Sequence, residues 1–294
     1  MINYYKCCYD NNIHIDRVEI FSKYVLIYSN KDVFLIKSHN IDIDRLFGYF
    51  KIINFVGYIY PIKITDNYEL YRYYLDCSLD IYDKAKEITN TLVDLHTKSY
   101  SFFEYSPSEK EKIYDLYNEK IDKCFTYYLN LQDSIEEMEI IKPSYYLLLN
   151  NVSKFYKLLN LSKNYLDWFY NSDNNHYREA LLVGNTTLSN FNFSDKKFFV
   201  DWDLSRRDLL IWDFIYFYKE NYKYIDAIGL FDYYNSKISL SDNELNLFFM
   251  IISIPNVIDF SGTEFTNTIR VRDTINYVDT TLSFMLEKNK EYKE

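Results

Sequence analysis

The 294-residue chain is long enough to bury a substantial core, as one large domain or as two lobes sharing a cleft. Its composition, 48% hydrophobic and 20% aromatic with only 5 Gly and 4 Pro, excludes fibrous and low-complexity classes and argues against disorder. A net charge of −10 and a sequence pI near 5.0 argue against a general phosphate-backbone binder, which gathers Lys and Arg on one face.

From Arg17 to Leu75 the pattern is strand-like. The runs "RVEIFSKYVLIY" and "VFLIK", separated by the turn "SNKD", and then "YIYPIKI" and "YELYRYYL", separated by "TDN", read as hairpins, because Val, Ile, Tyr and Phe are broken by Asn and Asp clusters. Between them "NIDIDRLFGYFKIINF" has room for one short helix. An antiparallel sheet of about four or five strands is expected. Beyond Ser78 the period becomes helical, with Ala85, Ile88, Leu92 and Leu95 forming one apolar stripe. Ser106, Pro107 and Glu109 make a capping-box start, and Ile113, Tyr117, Ile121, Cys124 and Tyr128 continue the pattern. One helix follows Pro143 through "YYLLLNNVSKFYKLL", Ser241 and Glu244 mark another start, and Ile275, Val278, Leu282 and Met285 form a last stripe. The charged end "EKNKEYKE" is expected to fray. The fold class is therefore α+β: an N-terminal β-rich lobe over residues 1–77, a hinge near Asp76 to Asp80, and a helical lobe over residues 78–294 that carries a strand-and-loop insertion at 183–203.

Cys7, Cys8, Cys77 and Cys124 show no CxxC spacing and the four histidines are scattered, so neither a zinc site nor a disulfide framework is supported. The N-terminus "MINYYKCCYDNN" has no basic-then-apolar leader, and no run nears the roughly 18 apolar residues that span a bilayer. These features predict a soluble cytoplasmic protein with reduced thiols and with neither membrane nor nucleic acid as partner.

The insertion "VGNTTLSNFNFSDKKFFVDWDL", Val183 to Leu204, holds the chemistry. Asn185 and Asn190 stand five residues apart, and a short strand then delivers Asp201 and Asp203. This order resembles the aminoglycoside phosphotransferase and choline kinase branch of the protein-kinase-like fold, whose catalytic loop reads H-G-D-x-x-x-x-N and precedes a strand ending I-D-W or I-D-F. Here the loop reads Val183-Gly184-Asn185, then Asn190, then Val200-Asp201-Trp202-Asp203. The segment "RRDLLIWDFIYFY" resembles the part of that family in which an Asp, here Asp213, opens a helix and braces the loop. "AKEITNTLVDLHTKSY" resembles the helix ending in Leu-His before the loop, and "DVFLIKS" the strand that carries the nucleotide lysine, here Lys37. The likeness runs from about Arg17 to Tyr218.

The resemblance implies a two-lobed protein-kinase-like fold, with an antiparallel N-lobe and a mostly helical C-lobe, and ATP-dependent phosphoryl transfer to a small-molecule hydroxyl. Mg-ATP is the implied cofactor, with Lys37 on the nucleotide phosphates and Asn190, Asp201 and Asp203 on the metal. Asn185 occupies the position of the catalytic Asp. A neutral amide cannot accept a proton near pH 7, and losing a general base costs about a hundred- to ten-thousand-fold in rate. No Gly lies between Ile13 and Lys37, so no glycine loop wraps the phosphates. The helix after Lys37 offers only Asp42 and Asp44, with no Glu before Glu69, which leaves the lysine's expected ion pair shorter, displaced or missing.

Plainer readings stand beside these. Asn185 and Asn190 are also ordinary turn residues, Lys37 also reads as a solvated strand end, and Arg206 and Arg207 as a local ion-pair network. The leading expectation is a pseudokinase or very weak phosphotransferase that binds Mg-nucleotide. The alternatives are an active small-molecule kinase using another group or substrate-assisted proton transfer, and a structural protein acting through a protein partner, as in spore-coat-associated relatives of this branch.

Overall fold

The structure, a computed structural model, describes residues 3–21, 24–30, 32–38, 43–77, 80–173 and 176–291. The first half of the chain forms α1 (Tyr4–Asp10), β1 (Arg17–Ile20), β2 (Tyr24–Ser29), β3 (Asp32–Lys37), α2 (Ile43–Ile52), β4 (Pro61–Ile64), β5 (Glu69–Tyr73), α3 (Ile81–Ser99), β6 (Ser101–Glu104) and α4 (Pro107–Glu136). There follow α5 (Pro143–Leu149), α6 (Val152–Asn171), β7 (His176–Leu182), β8 (Phe191–Phe193), β9 (Lys197–Phe199), β10 (Arg206–Leu209), α7 (Ile211–Asn221), α8 (Ala227–Ile238), α9 (Asp242–Ile252) and α10 (Glu264–Glu291). Two compact units result: Met1–Tyr100 with Ala180–Asp208, and Ser101–Glu179 with Leu209–Glu294. The change of pattern at 77/78 marks where strands give way to helices; packing groups α3 and the segment 180–208 with the strands.

The first unit is built on a five-stranded antiparallel sheet of order β1-β2-β3-β5-β4. The run "RVEIFSKYVLIY" is two strands, with Arg17 opposite Tyr28 and Ile20 opposite Val25. Asn30 supplies the left-handed backbone, φ 50°, that the tight β2–β3 turn needs. Strand β3 is central, with Lys37 at its end flanked by Tyr24 of β2 and Glu69 of β5. Helix α1, which the sequence reading did not anticipate, buries Cys7 and Cys8 against Val25, Ile27, Ile36 and Leu70. Seven residues are too few for a 3.6-residue period to show, and its start is fixed locally by Asn3, whose side chain accepts from the Lys6 N–H at 3.1 Å. Helix α3 buries the predicted stripe of Ala85, Ile88, Leu92 and Leu95 completely.

The second unit is helical. Both capping boxes form as their sequences require, Ser106 with Glu109 at α4 and Ser241 with Glu244 at α9. Buried Glu244 also holds Arg178, whose Nε donates to Oε1 at 3.0 Å. The one helix expected after Pro143 is two, because the Asn150-Asn151 pair breaks it: Asn150 caps α5, and Asn151 starts α6. Asn in such a pair competes for backbone groups and favours a turn. Helix α10 continues to Glu291, and the last three residues of the expected frayed end lie outside the described residues. All four cysteines are free, and among the described residues no helix is long and apolar enough to cross a membrane.

Candidate functional site

Asn190 ends a short 3-10 turn, Leu188–Asn190, whose start is capped by the Thr187 hydroxyl accepting from the Asn190 N–H at 3.2 Å. The β8–β9 hairpin pairs Phe191 with Phe199 and so returns the chain alongside Asn190, where the Val200 N–H donates to the Asn190 carbonyl at 2.9 Å. The buried Asn190 side chain has backbone partners at both ends. Nδ2 donates to the carbonyls of Asn185 at 2.6 Å and Asp201 at 3.0 Å, and Oδ1 accepts from the Asp201 N–H at 2.7 Å. One amide thus ties position 185 to position 201.

Strand β9 stops at Phe199, and the expected extended run through Asp203 is instead a tight turn. The Asp203 N–H bonds the Asp201 carboxylate at 3.0 Å, and the Ser205 N–H donates to the Trp202 carbonyl at 2.9 Å; a carboxylate that competes for backbone N–H groups in this way ends a strand. Trp202 anchors the turn, its ring 4.7 Å from Phe50 of α2 and 5.9 Å from Phe55, and its indole N–H on the Phe199 carbonyl. Gly184 lies on the other side of the loop with φ +76°, and a Cβ there would sit 2.2 Å from the Leu204 carbonyl oxygen. Only glycine permits both the backbone angle and the approach.

The turn aims Asp201 and Asp203 at the end of β3. The Lys37 ammonium is 2.8 Å from Asp203 Oδ1, 3.4 Å from Asp201 Oδ1 and 4.0 Å from Glu69 Oε2. The Lys37 side chain is 5% exposed, those of Asp201 and Asp203 are 14%, and Glu69 is fully buried. Burial alone would lower the lysine's pKa, but the hydrogen bond and charge of Asp203, with the charges of Glu69 and Asp201, outweigh it and hold the ammonium above its usual range. Three carboxyl groups thus converge on one ammonium, and their oxygens are of the kind a hard divalent cation takes. Among the described residues no group of three or more His, Cys, Asp or Glu side chains is arranged to hold a metal, so a cation here would need oxygens from amides, water or phosphate as well.

Of the residues singled out in the sequence, Lys37, Asp201 and Asp203 form one ion-paired cluster, and Asn190 braces it through the backbone. Asn185 is half-buried, and its side chain makes no hydrogen bond to a described residue. Asp44 of α2 is exposed, and Asp42 lies outside the described residues. The Arg206 guanidinium pairs with Asp208 at 3.0 Å, whereas Arg207 donates to the Ser99 carbonyl at the end of α3 and to the Tyr49 hydroxyl. Asp213 is buried in the first turn of α7. The sequence reading missed Glu69 and Tyr71, whose hydroxyl donates to Glu69 Oε2 at 2.5 Å. The signal was a lone Glu in the strand-like "YELYRYYL"; its meaning depended on the β3–β5 register, which a single sequence does not display.

No protein-family model and no curated protein matches the sequence. Among solved structures, an aminoglycoside phosphotransferase from Alicyclobacillus acidocaldarius matches with a TM-score of 0.69 at 10% identity, covering 95% of this chain and 93% of that one. A spectinomycin phosphotransferase bound to AMP matches with a TM-score of 0.56 at 12% identity, over 92% of this chain and 94% of that one. The same enzyme with ADP and spectinomycin gives 0.55 at 11% identity, over 93% and 94%. At these identities the likeness shows the fold: an antiparallel sheet followed by a mostly helical remainder, as in the aminoglycoside phosphotransferases.

Proposed function

We propose that this chain binds a nucleoside di- or triphosphate together with Mg²⁺, and that it transfers a phosphoryl group slowly or not at all. One observation carries the reading. Lys37 converges with Asp201 and Asp203 from more than 160 residues away; Asn185, where the family resemblance implies a proton acceptor, is an amide. That the spectinomycin phosphotransferase neighbours hold AMP or ADP supports a nucleotide as the ligand.

Asp201, Asp203 and the remaining lone pair of Asn190 Oδ1 would hold the cation. When bound, Mg²⁺ neutralises charge on the phosphate oxygens. The chain's own contribution is positioning. Lys37 presents a fixed positive charge to phosphate oxygens, in a setting where low exposure strengthens the attraction. The Asn190 amide fixes the spacing of the 185 and 201 backbones, so the acceptor position and the acidic pair keep one geometry. Asn185 can orient a hydroxyl by hydrogen bonding but cannot take its proton. The acceptor, on the enzyme reading, is a small-molecule hydroxyl; free thiols accord with a reducing cytoplasm.

Calorimetric titration of the protein with ATP and ADP, each with and without Mg²⁺, tests the proposal. Saturable binding that needs Mg²⁺ is expected. Heat-silent titrations at millimolar nucleotide would contradict it and direct attention to a protein partner.

A further inference from the structure

Lys37 and Glu69 lie directly opposite in the β3–β5 ladder, and opposed residues in an antiparallel pair keep their Cα atoms about 4.5–5.5 Å apart. Tyr71, two residues along and therefore on the same face, completes the arrangement through its hydrogen bond to Glu69. Burial, with the charge of Glu69 adding, pushes the Tyr71 phenol far above its usual range, so the phenol keeps its proton and donates it to Glu69 Oε2. Among the described residues helix α2 offers no counterpart. Its one acidic residue, Asp44, is exposed at the first turn.

In protein kinases the strand lysine is held by a glutamate on a helix, so the helix position decides whether the site is assembled. We propose that Glu69 is the positioning residue for Lys37, supplied from within the sheet, so that the nucleotide lysine is held in register by β5 and not by α2. Asp201 and Asp203 keep 14% exposure whereas Glu69 is fully buried, so a ligand arriving from solvent meets the two aspartates before Glu69. The consequence is a Lys37–Glu69 pair that displacement of α2 does not dismantle, whereas the Asp201–Asp203 turn still rests on Phe50 of α2 through Trp202. The functional half of this inference rests on the nucleotide reading; the pairing is a property of the unliganded protein.

A double-mutant cycle reads the pairing without nucleotide. Thermal midpoints are measured for Lys37→Met, Glu69→Gln and the double variant. The double variant is expected to fall several degrees less than the two single falls together, while Asp44→Asn and Lys37→Met add. Additivity between Lys37 and Glu69, or coupling between Lys37 and Asp44, overturns the proposal. If Glu69→Gln does not fold, Tyr71→Phe replaces it in the cycle, with coupling to Lys37 expected in the same sense. Mg-ATP affinity supplies the second readout. Glu69→Gln is expected to weaken it about tenfold, or roughly 1.4 kcal/mol, in the wild-type background and not at all with Lys37→Met. Equal weakening in both backgrounds marks a merely structural role and overturns the proposal. If the wild type binds no nucleotide, the reading of the site fails, and the midpoints still decide the pairing.

Discussion

Replacing Asn190 with Ala removes three hydrogen bonds at once, those to the Asn185 carbonyl and to the Asp201 carbonyl and N–H. A net intramolecular hydrogen bond contributes about 1 kcal/mol, and a buried backbone group left without a partner costs about 1–3 kcal/mol. Because the Asn190 side chain is almost wholly buried, water cannot easily take its place, and the expected loss is about 3–4 kcal/mol. For a chain of 294 residues that corresponds to a fall in thermal midpoint of roughly 5–6 °C. Asn190→Asp should do no better, since a carboxylate keeps the acceptor for the Asp201 N–H but sets oxygen against oxygen at the other two contacts. Urea unfolding of the unliganded protein, read as a change in midpoint at constant slope, measures the loss. A side chain present only to bind a metal would leave the unliganded protein's stability untouched, so a loss under about 1 kcal/mol would refute the bracing role.

Gly184→Ala introduces both a strained left-handed residue and a contact 2.2 Å from the Leu204 carbonyl; a loss of about 2–4 kcal/mol is expected by chemical denaturation, and a neutral result would mean that the loop lies elsewhere. Asn185→Asp restores a proton acceptor, and nucleotide turnover should rise by about a hundred- to ten-thousand-fold in a phosphate-release assay with an acceptor screen; wild-type turnover at ordinary kinase rates, near 1–100 per second, would contradict the assignment of an impaired loop. In the second unit, burial, with the charge of Lys120 adding, lowers the Lys219 ammonium to about 8. From there to the ordinary value near 10.4 the unfolded chain holds the proton and the folded chain does not, so this group makes stability rise with pH through that window. Lys219→Met should therefore stabilise at pH 7 by about 1–2 kcal/mol, after allowance for partial exposure, and the gain should fade towards pH 10; a pH-independent gain would show that packing, not the charge, is responsible.

Much of this was legible in the sequence because the signals were local. A capping box needs only Ser and Glu three apart, and both boxes formed. The stripe of α3 needs only the helical period, and its four residues are completely buried. The five strands and the order of Asn190, Asp201 and Asp203 likewise come from runs and spacings within one stretch of chain. What was hidden depends on register and on distance. That Lys37 meets Asp203 requires the fold to join residues 166 apart, and that Glu69 rather than a helix residue faces Lys37 requires knowing that β5 and not β4 lies beside β3. Helix α1 was too short to show a period. The run through Asp203 was read as extended, because the hydrophobic "KKFFV" before Asp201 dominates the pattern and the competition of the Asp201 carboxylate for the Asp203 N–H carries no periodic signal.

The central claim, that Lys37 and Asp201 form a working Mg-nucleotide site, is tested most directly by thermal unfolding of wild type and Asp201→Ala with ATP or ADP, each with and without Mg²⁺. A ligand that binds only the folded state stabilises it by about 2.7 kcal/mol at a hundred times its dissociation constant, which is a rise of roughly 4 °C for a chain of this size. The account predicts that rise in wild type with Mg²⁺ present and its absence in Asp201→Ala. An unchanged wild-type midpoint at millimolar Mg-nucleotide, or an equal rise in the variant, would contradict it.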